Sequence, residues 1–267
     1  MELLPGVYKA TKKDGTVYYR SSITFHGKHI SLGSYPDISS ANLSYQEAGE
    51  ILSGKRGNIN NPNPFSSSCL SFEKQVVLFN FRDNQYYIKT PIYLKKKYFL
   101  YYLRPDYVLT FDADDLFYYS NHKIMQRGGH LFVSDFGMQV NILSRYGIKN
   151  YGVAGKDYRF VNGDPTDFRY RNIEIINRYH GVDRIIDHGL PRYLARIHIN
   201  GDYIIGRYDT ETEAAIAYNK AAAYLKEKGC KKNFPENYLP DLDAISYASL
   251  YNRIRISPAI RRLTFAD

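Results

Sequence analysis

The clearest periodic pattern lies towards the C-terminal end. Residues Arg192–Asn200 alternate, with Tyr193, Ala195, Ile197 and Ile199 on one face and Leu194, Arg196 and His198 on the other, which predicts a strand covered on one side. Asn200-Gly201 predicts a two-residue hairpin turn, and Tyr203–Arg207 the returning strand. Thr210 and Glu213 have the spacing of a capping box. Ala214, Ala217, Tyr218, Ala221 and Leu225 then recur at helical spacing up to a stop at Gly229. The small alanines let this helix lie close against the apolar face of the sheet. The opposite face is left uncovered, and it carries Arg196 and His198.

The same order recurs near the start. Tyr19–Gly27 (YRSSITFHG) lines up with Tyr193–Gly201 (YLARIHING) at a constant offset of 174 residues. Each copy continues with a short apolar strand, a glycine (Gly33, Gly206), a tyrosine (Tyr35, Tyr208), an aspartate and a helical pattern. Between the copies, Gly54–Ser68 (GKRGNINNPNPFSSS) is rich in Asn, Pro, Gly and Ser and reads as a linker. The expected organisation is a sheet-plus-helix module over 1–53, a linker over 54–69, a middle domain over 70–181, a second module over 182–237 and a helical tail over 238–267. The expected class is α+β, with a small three-stranded antiparallel sheet and a helix at each end.

Composition narrows the function. The chain is 44% apolar and 24% charged, an ordinary globular balance. The longest apolar run, Tyr98–Leu103, is far too short to cross a bilayer, so no membrane is expected. Met1–Lys9 lacks the features of a signal peptide, and two cysteines, Cys69 and Cys230, make neither a disulfide scaffold nor a zinc site. An intracellular, reduced location follows as the expectation. The net charge of +9 suits a polyanion, because neutralised phosphates release counterions. The surplus sits in the middle: residues 54–181 hold eighteen basic and eleven acidic side chains, against five and five in 1–53 and nine and eight in 182–237. In the first copy Lys9, Lys12, Lys13, Arg20 and Lys28 belong to the strand region with one acid, Asp14, while Asp37, Glu47 and Glu50 belong to the helix. A basic sheet backed by an acidic helix would meet nucleic acid sheet-first. The 27 tyrosines, with no tryptophan, read as large core aromatics.

The modules resemble the ethylene-response-factor (APETALA-type) DNA-binding domain and its relatives in integrase arms and homing endonucleases. The second copy carries the likeness best, in GRYDTETEAAIAYNKAAAYL followed by KKNFP; the first carries it in its GVY opening and HGKHISLGSY strand. The resemblance implies a three-stranded sheet lying in the major groove of duplex DNA. By position its groove-facing residues are Arg20, Ser22, Thr24 and His29 in the first copy, and Arg196, His198 and Tyr203 in the second. Lys9, Lys12, Lys28, Arg192 and Arg207 complete the expected DNA contacts. The family's strand tryptophans are tyrosines here, Tyr19 and Tyr193.

The middle resembles the HNH nucleases, through Phe160–Ile173 (FVNGDPTDFRYRNI) and the upstream Asp112–Leu116 (DADDL). The resemblance implies a ββα arrangement in which a histidine deprotonates water and an Asp or His plus an Asn hold a divalent metal. The histidine position falls on Phe160 and the preceding metal-ligand position on Arg159; an upstream His falls on Ser144. Phenylalanine takes no proton and arginine binds no cation. Asn162, Asp164, Asp167 and Asn172 survive, but such residues also build turns and cap helices. The expectation is a vestigial site with no catalysis, no metal and no cofactor.

Other chemistry is sparse. His122, His130, His180 and His188 are scattered, without metal-ligand spacing. Asp112, Asp114 and Asp115 suit a helix N-terminus, and Lys95–Lys97 reads as a solvated run or a phosphate contact. No phosphate loop or nucleophile elbow occurs. The leading reading is a sequence-preferring duplex DNA-binding protein, a regulator derived from a mobile-element or phage endonuclease. The alternative is a working metal-dependent nickase with Tyr158 or His180 as an unorthodox base. A third reading is a protein-binding module that uses the tyrosine-rich middle.

Overall fold

The structure, a computed structural model, describes residues 4–60 and 69–265. It is α+β, built from small antiparallel sheets and helices. The chain divides into two compact units, Met1–Ile142 with Asp164–Asn172, and Leu143–Gly163 with Ile173–Asp267.

The first unit opens with an antiparallel meander of β1 (Val7–Thr11), β2 (Val17–Phe25) and β3 (Lys28–Tyr35), followed by α1 (Ile38–Leu52). Asp37 starts α1 by accepting from the Ser40 amide at 2.7 Å. The helix covers one face of the sheet with Ala48 and Ile51 in one cluster with Ile30 and Leu32. Next come α2 (Phe72–Asn84), a sheet of β4 (Ile92–Leu94), β5 (Tyr98–Arg104) and β6 (Tyr107–Asp112), then α3 (Leu116–Asn121). A third sheet, β7 (Ile124–Arg127), β8 (His130–Asp135) and β9 (Met138–Asn141), completes the series.

Both sides of the expected linker share one core. Ile30, Leu32 and Ile51 pack in a cluster with Ile59, Leu70, Phe79 and Tyr102. Arg56 lies 3.4 Å from Glu47 and 3.0 Å from Glu50, and Arg82 donates to the Ile51 and Gly57 carbonyls. Residues 54–60 are therefore anchored through Arg56, Gly57 and Ile59, with Gly54, Lys55, Asn58 and Asn60 exposed; residues 61–68 of that segment lie outside the described residues. Tyrosine does replace tryptophan inside, since Tyr101 and Tyr119 are fully buried. The Tyr101 hydroxyl accepts from the Ile124 amide at 2.9 Å, which satisfies the polar tip that burial would otherwise strand. Phe111 stacks on Phe99 and Phe168 at 5.4 and 5.5 Å.

The second unit contains the short pair β10 (Tyr158–Phe160) and β11 (Ile173–Ile175), then a meander of β12 (Val182–Asp187), β13 (Leu190–His198) and β14 (Asp202–Tyr208). The long helix α4 (Glu211–Glu227) covers one face of that meander, and α5 (Ala244–Arg253) and α6 (Pro258–Arg261) close the chain. Ala195 and Ile197 are buried with Ala214, Ala217, Ala221 and Leu225, as the alternation and the helical spacing predict. Ile254, Ile256 and Ile260 from the tail join the same core. The Thr210 hydroxyl accepts from the Glu213 amide at 3.1 Å. At the other end Gly229 takes φ +87°, with Gly229 N–H on the Lys226 carbonyl and Cys230 N–H on the Leu225 carbonyl.

The two meanders repeat each other in detail. Each has a β-bulge at the matching place, between Ser21 and Ser22 and between Ala195 and Arg196. The extra residues on the facing strands, Leu32 and Ile205, are both buried. The glycines that follow lie beneath the tyrosine two residues on; a Cβ would meet the hydroxyl of Tyr35 at 3.1 Å from Gly33, and that of Tyr208 at 2.6 Å from Gly206. Upstream, Gly6 and Gly181 have φ of +73° and +66°, sit under the rings of Tyr45 and Tyr218, and accept from the amides of Ser22 and Arg196.

One turn departs from expectation. Asn200-Gly201 is not a two-residue hairpin turn, because pairing ends at His198↔Asp202 and leaves three residues between. Ile199 stays packed on the core, and the Tyr203 hydroxyl donates to Asn200 Oδ1 at 3.2 Å. Two-residue turns with both φ positive occur instead at His26-Gly27, Gly128-Gly129, Phe136-Gly137 and His188-Gly189.

Candidate nucleic-acid interface

Alternation on β2 turns Arg20 and Thr24 away from α1, and the register sets Thr24 opposite His29. Tyr8, 55% exposed, stands opposite Arg20 on β1. Arg20 donates to the Tyr18 hydroxyl at 3.0 Å, and its guanidinium sits 5.7 Å from that ring centroid. Among the described residues Arg20 has no carboxylate partner. The described acids of this module have other partners: Asp14 accepts from the Thr16 amide at 2.9 Å in the β1–β2 turn, Asp37 caps α1, buried Glu47 accepts from the Leu70 amide at 2.9 Å and Glu50 pairs with Arg56 at 3.0 Å. Of the other expected contacts, Lys9 on β1 and Lys12 in the following turn are exposed. Lys28 lies over the Tyr87 ring at 5.3 Å. Ser22 is buried, its amide donating to the Gly6 carbonyl, so it is not presented to a ligand.

The second module arms its open face differently. Leu194, Arg196 and His198 point away from α4, as alternation predicts, with Arg207 opposite Leu194 and Ile204 opposite Arg196. Each arginine there meets a carboxylate. Arg196 Nε lies 2.7 Å from Asp183 and its Nη1 2.8 Å from Asp202. Arg192 is 2.8 Å from Asp209, and Arg207 is 3.8 Å from Asp187. His198 Nδ1 is 2.8 Å from Asp202; that hydrogen bond, with Arg196 nearby, holds the Asp202 carboxyl below its usual value. Tyr203 departs from its expected place. It pairs with Ile197 and packs on the core, on the helix side of the sheet.

By register, Arg196 corresponds to Ser22 and Leu194 to Arg20, so the two sheets present their cations at different points. Cross-strand partners such as Asp183 were not legible in advance, because they depend on which residues the register sets side by side. A further signal did exist: Gly6-Val7 and Gly181-Val182 open the two copies alike.

The nuclease-like positions are engaged in local structure. Arg159 faces Glu174 across the β10–β11 pair at 2.7 Å. Asp164 accepts from the Thr166 amide and hydroxyl at 2.8 and 2.7 Å. Buried Asp167 makes a two-pronged contact with Arg169, at 2.8 and 2.6 Å, and buried Asn172 donates to the Asp167 carbonyl at 2.8 Å. The chain passes from β11 to β12 without forming a helix, so the expected strand–strand–helix order is not what these residues make. The Asn172 neighbourhood ends a 3₁₀ turn and begins β11. Among the described residues no group of three or more His, Cys, Asp and Glu is placed to hold a metal ion. Burial, with Asp157 nearby, pushes the Tyr158 hydroxyl above its usual value, so it keeps its proton at neutral pH. His180 is held below its usual value by burial and by Lys149.

No helix among the described residues is long and apolar enough to cross a membrane. Comparison with protein-family models, with curated proteins and with solved structures finds no match to this chain.

Proposed function

We propose that this chain is a non-enzymatic, sequence-preferring duplex DNA-binding protein that reads DNA through the open faces of its two repeated sheets. The observation that carries the reading is the first module's open face. Arg20, Thr24 and His29 stand there with no ion-paired carboxylate among the described residues, while Asp37 caps the helix, Glu47 is buried, Glu50 pairs with Arg56 and Asp14 accepts from the Thr16 amide in the β1–β2 turn. A three-stranded antiparallel ribbon with outward cations suits the major groove, where arginine pairs with guanine edges. The second module supplies a face whose arginines are already oriented by carboxylates. On this reading the middle derives from an HNH endonuclease of phage or mobile-element type. Its hairpin is kept as scaffold, Phe160 and Arg159 stand where the catalytic and metal-binding groups would be, and the protein acts as a regulator on DNA.

The test is selection of bound sequences from random duplex DNA with the full chain, followed by binding of Arg20→Ala and Arg196→Ala to the selected site. Enrichment of a defined site, with preference relaxed at different base pairs in the two variants, supports the reading. Failure to enrich any sequence, or equal loss on all sequences in both variants, overturns it.

A further inference from the structure

The β7–β9 sheet lies outside both modules and has an unusual tip. The turn joining β8 to β9 has Phe136 at φ +46° and Gly137 at φ +77°. That geometry suits Asn or Asp followed by Gly, and a bulky aromatic there is strained. The Phe136 side chain is also 96% exposed, and neighbouring Met138 is 65% exposed. Backbone strain and apolar exposure thus coincide at one residue, with no folding benefit to offset either. Such a coincidence marks a contact surface.

The face of the sheet behind this tip forms an open trough of about 710 Å³. Phe132 and Met125 lie in it; Arg104, Lys123 and Arg127 give it positive charge, and no acidic residue among the described ones lines it. Arg104 and Lys123 keep partners outside the lining, Asp106 at 3.3 Å and Glu73 at 2.6 Å, whereas Arg127 has no ion-pair partner among the described residues. Ser134 and Gln139 add groups that both donate and accept hydrogen bonds, and Gln126, whose Oε1 accepts from Arg104 Nη1 at 3.0 Å, adds its amide donor. A cationic trough with rings and amides fits a ligand that has negative charge, flat faces and hydrogen-bonding edges together. A single-stranded nucleic acid has all three, and its bases are free to stack. An anionic lipid surface would match the charge and the exposed Phe136 but would leave the polar amides unused.

We propose that the β7–β9 sheet binds a single-stranded nucleic-acid segment running along β8, with Phe136 stacked on an unpaired base at one end of the strand and Arg127, opposite His130 at the other end, on a phosphate several nucleotides further along. This site uses no residue of the two modules. Loss of duplex binding would defeat the proposed function and leave this one standing.

The experiment titrates the full chain against a fluorescein-labelled oligothymidine of about twelve nucleotides, followed by anisotropy. Phe136→Asn should weaken binding about five- to a hundredfold, the range for removal of one stacking side chain. Its melting temperature should hold or rise, because asparagine suits the positive φ, so misfolding does not explain the loss. Arg127→Ala should also weaken binding and lower its salt dependence. Arg20→Ala, in the first module, should leave oligothymidine affinity unchanged. The inference is overturned if the wild-type chain does not bind the oligonucleotide or if Phe136→Asn binds it undiminished. It is equally overturned if Arg20→Ala loses as much affinity as Phe136→Asn, or if Phe136→Asn abolishes cosedimentation with phosphatidylserine vesicles while oligonucleotide affinity is unchanged.

Discussion

The Arg196 guanidinium lies 2.7 Å from the Asp183 carboxylate, diagonally across the β12–β13 pair. With Asp202 on the other side, the arginine is gripped from both neighbouring strands. A half-buried surface pair of this kind contributes little to stability, about 0.2–1 kcal/mol. Its larger effect is on order, because an arginine already held in place loses less freedom when it meets a ligand.

Removing that grip should separate affinity from preference. In Asp183→Asn a negative charge leaves the open face while Arg196 loosens. Affinity for scrambled duplex should rise and the ratio of preferred to scrambled binding should fall, both read by anisotropy. Arg196→Ala should cost about 1–3 kcal/mol on the preferred site and relax one position. Lys226→Ala, on the far side of α4, is the control. A uniform change across sequences would reduce Arg196 to a phosphate contact.

Arg20 stands without a carboxylate, so its contribution should follow salt. If it meets a phosphate, Arg20→Ala should lower the slope of log affinity against log salt by about 1. An unchanged slope with a lost base preference would place it on a base edge.

Plasmid DNA incubated with the protein and magnesium or manganese should remain supercoiled on an agarose gel. Asn172→Ala should then appear as lost stability, about 1–3 kcal/mol in a denaturant melt, because it strands the buried Asp167 carbonyl. Metal-dependent nicking that vanishes in this variant would reverse the assignment.

Glycines of the second unit should differ sharply in tolerance. Gly181→Ala forces a Cβ to 2.3 Å from both the Arg196 carbonyl and the Tyr218 ring, at φ +66°, and should cost about 3 kcal/mol. Gly201→Ala meets nothing within 4 Å and should cost less than about 0.5 kcal/mol. Thermal melts of the two variants decide it.

The half-buried imidazole of His180 should impose a pH dependence on stability. Burial and Lys149 lower its pKa below the ordinary 6.5, so the folded state favours the neutral ring. As pH falls below 6.5 the unfolded chain takes up the proton first, and stability declines until the folded value is passed. His180→Gln should flatten melting temperature against pH between about 7 and 5. An equally steep curve would exclude this residue as the cause.

What the sequence revealed and what it hid follow from the range of the interactions. The faces of β13 and the stripe, caps and stop of α4 depend on residues within a few positions of one another, and these were readable. So was the duplication, because Tyr19–Gly27 and Tyr193–Gly201 keep their spacing. The turn at Asn200-Gly201 misled because core packing of Ile199, a tertiary effect, ended the pairing early. The anchoring of residues 54–60 was hidden for a similar reason: Ile59 and Arg56 find their partners on α1 and α2. At the open faces alternation identified Arg196 and His198, while the neutralising grip of Asp183 and the burial of Ser22 required three dimensions.

The glycine beneath its tyrosine, repeated at Gly33 with Tyr35 and at Gly206 with Tyr208, ties the bulge to residues that never reach the open face. Everything the two copies hold in common serves to shape the ribbon, and what they present outward differs, serine and threonine at 22 and 24 against arginine and histidine at 196 and 198. Within one polypeptide the platform and what it carries outward are thus separable, and one copy's open face can change while its twin's stays as it is.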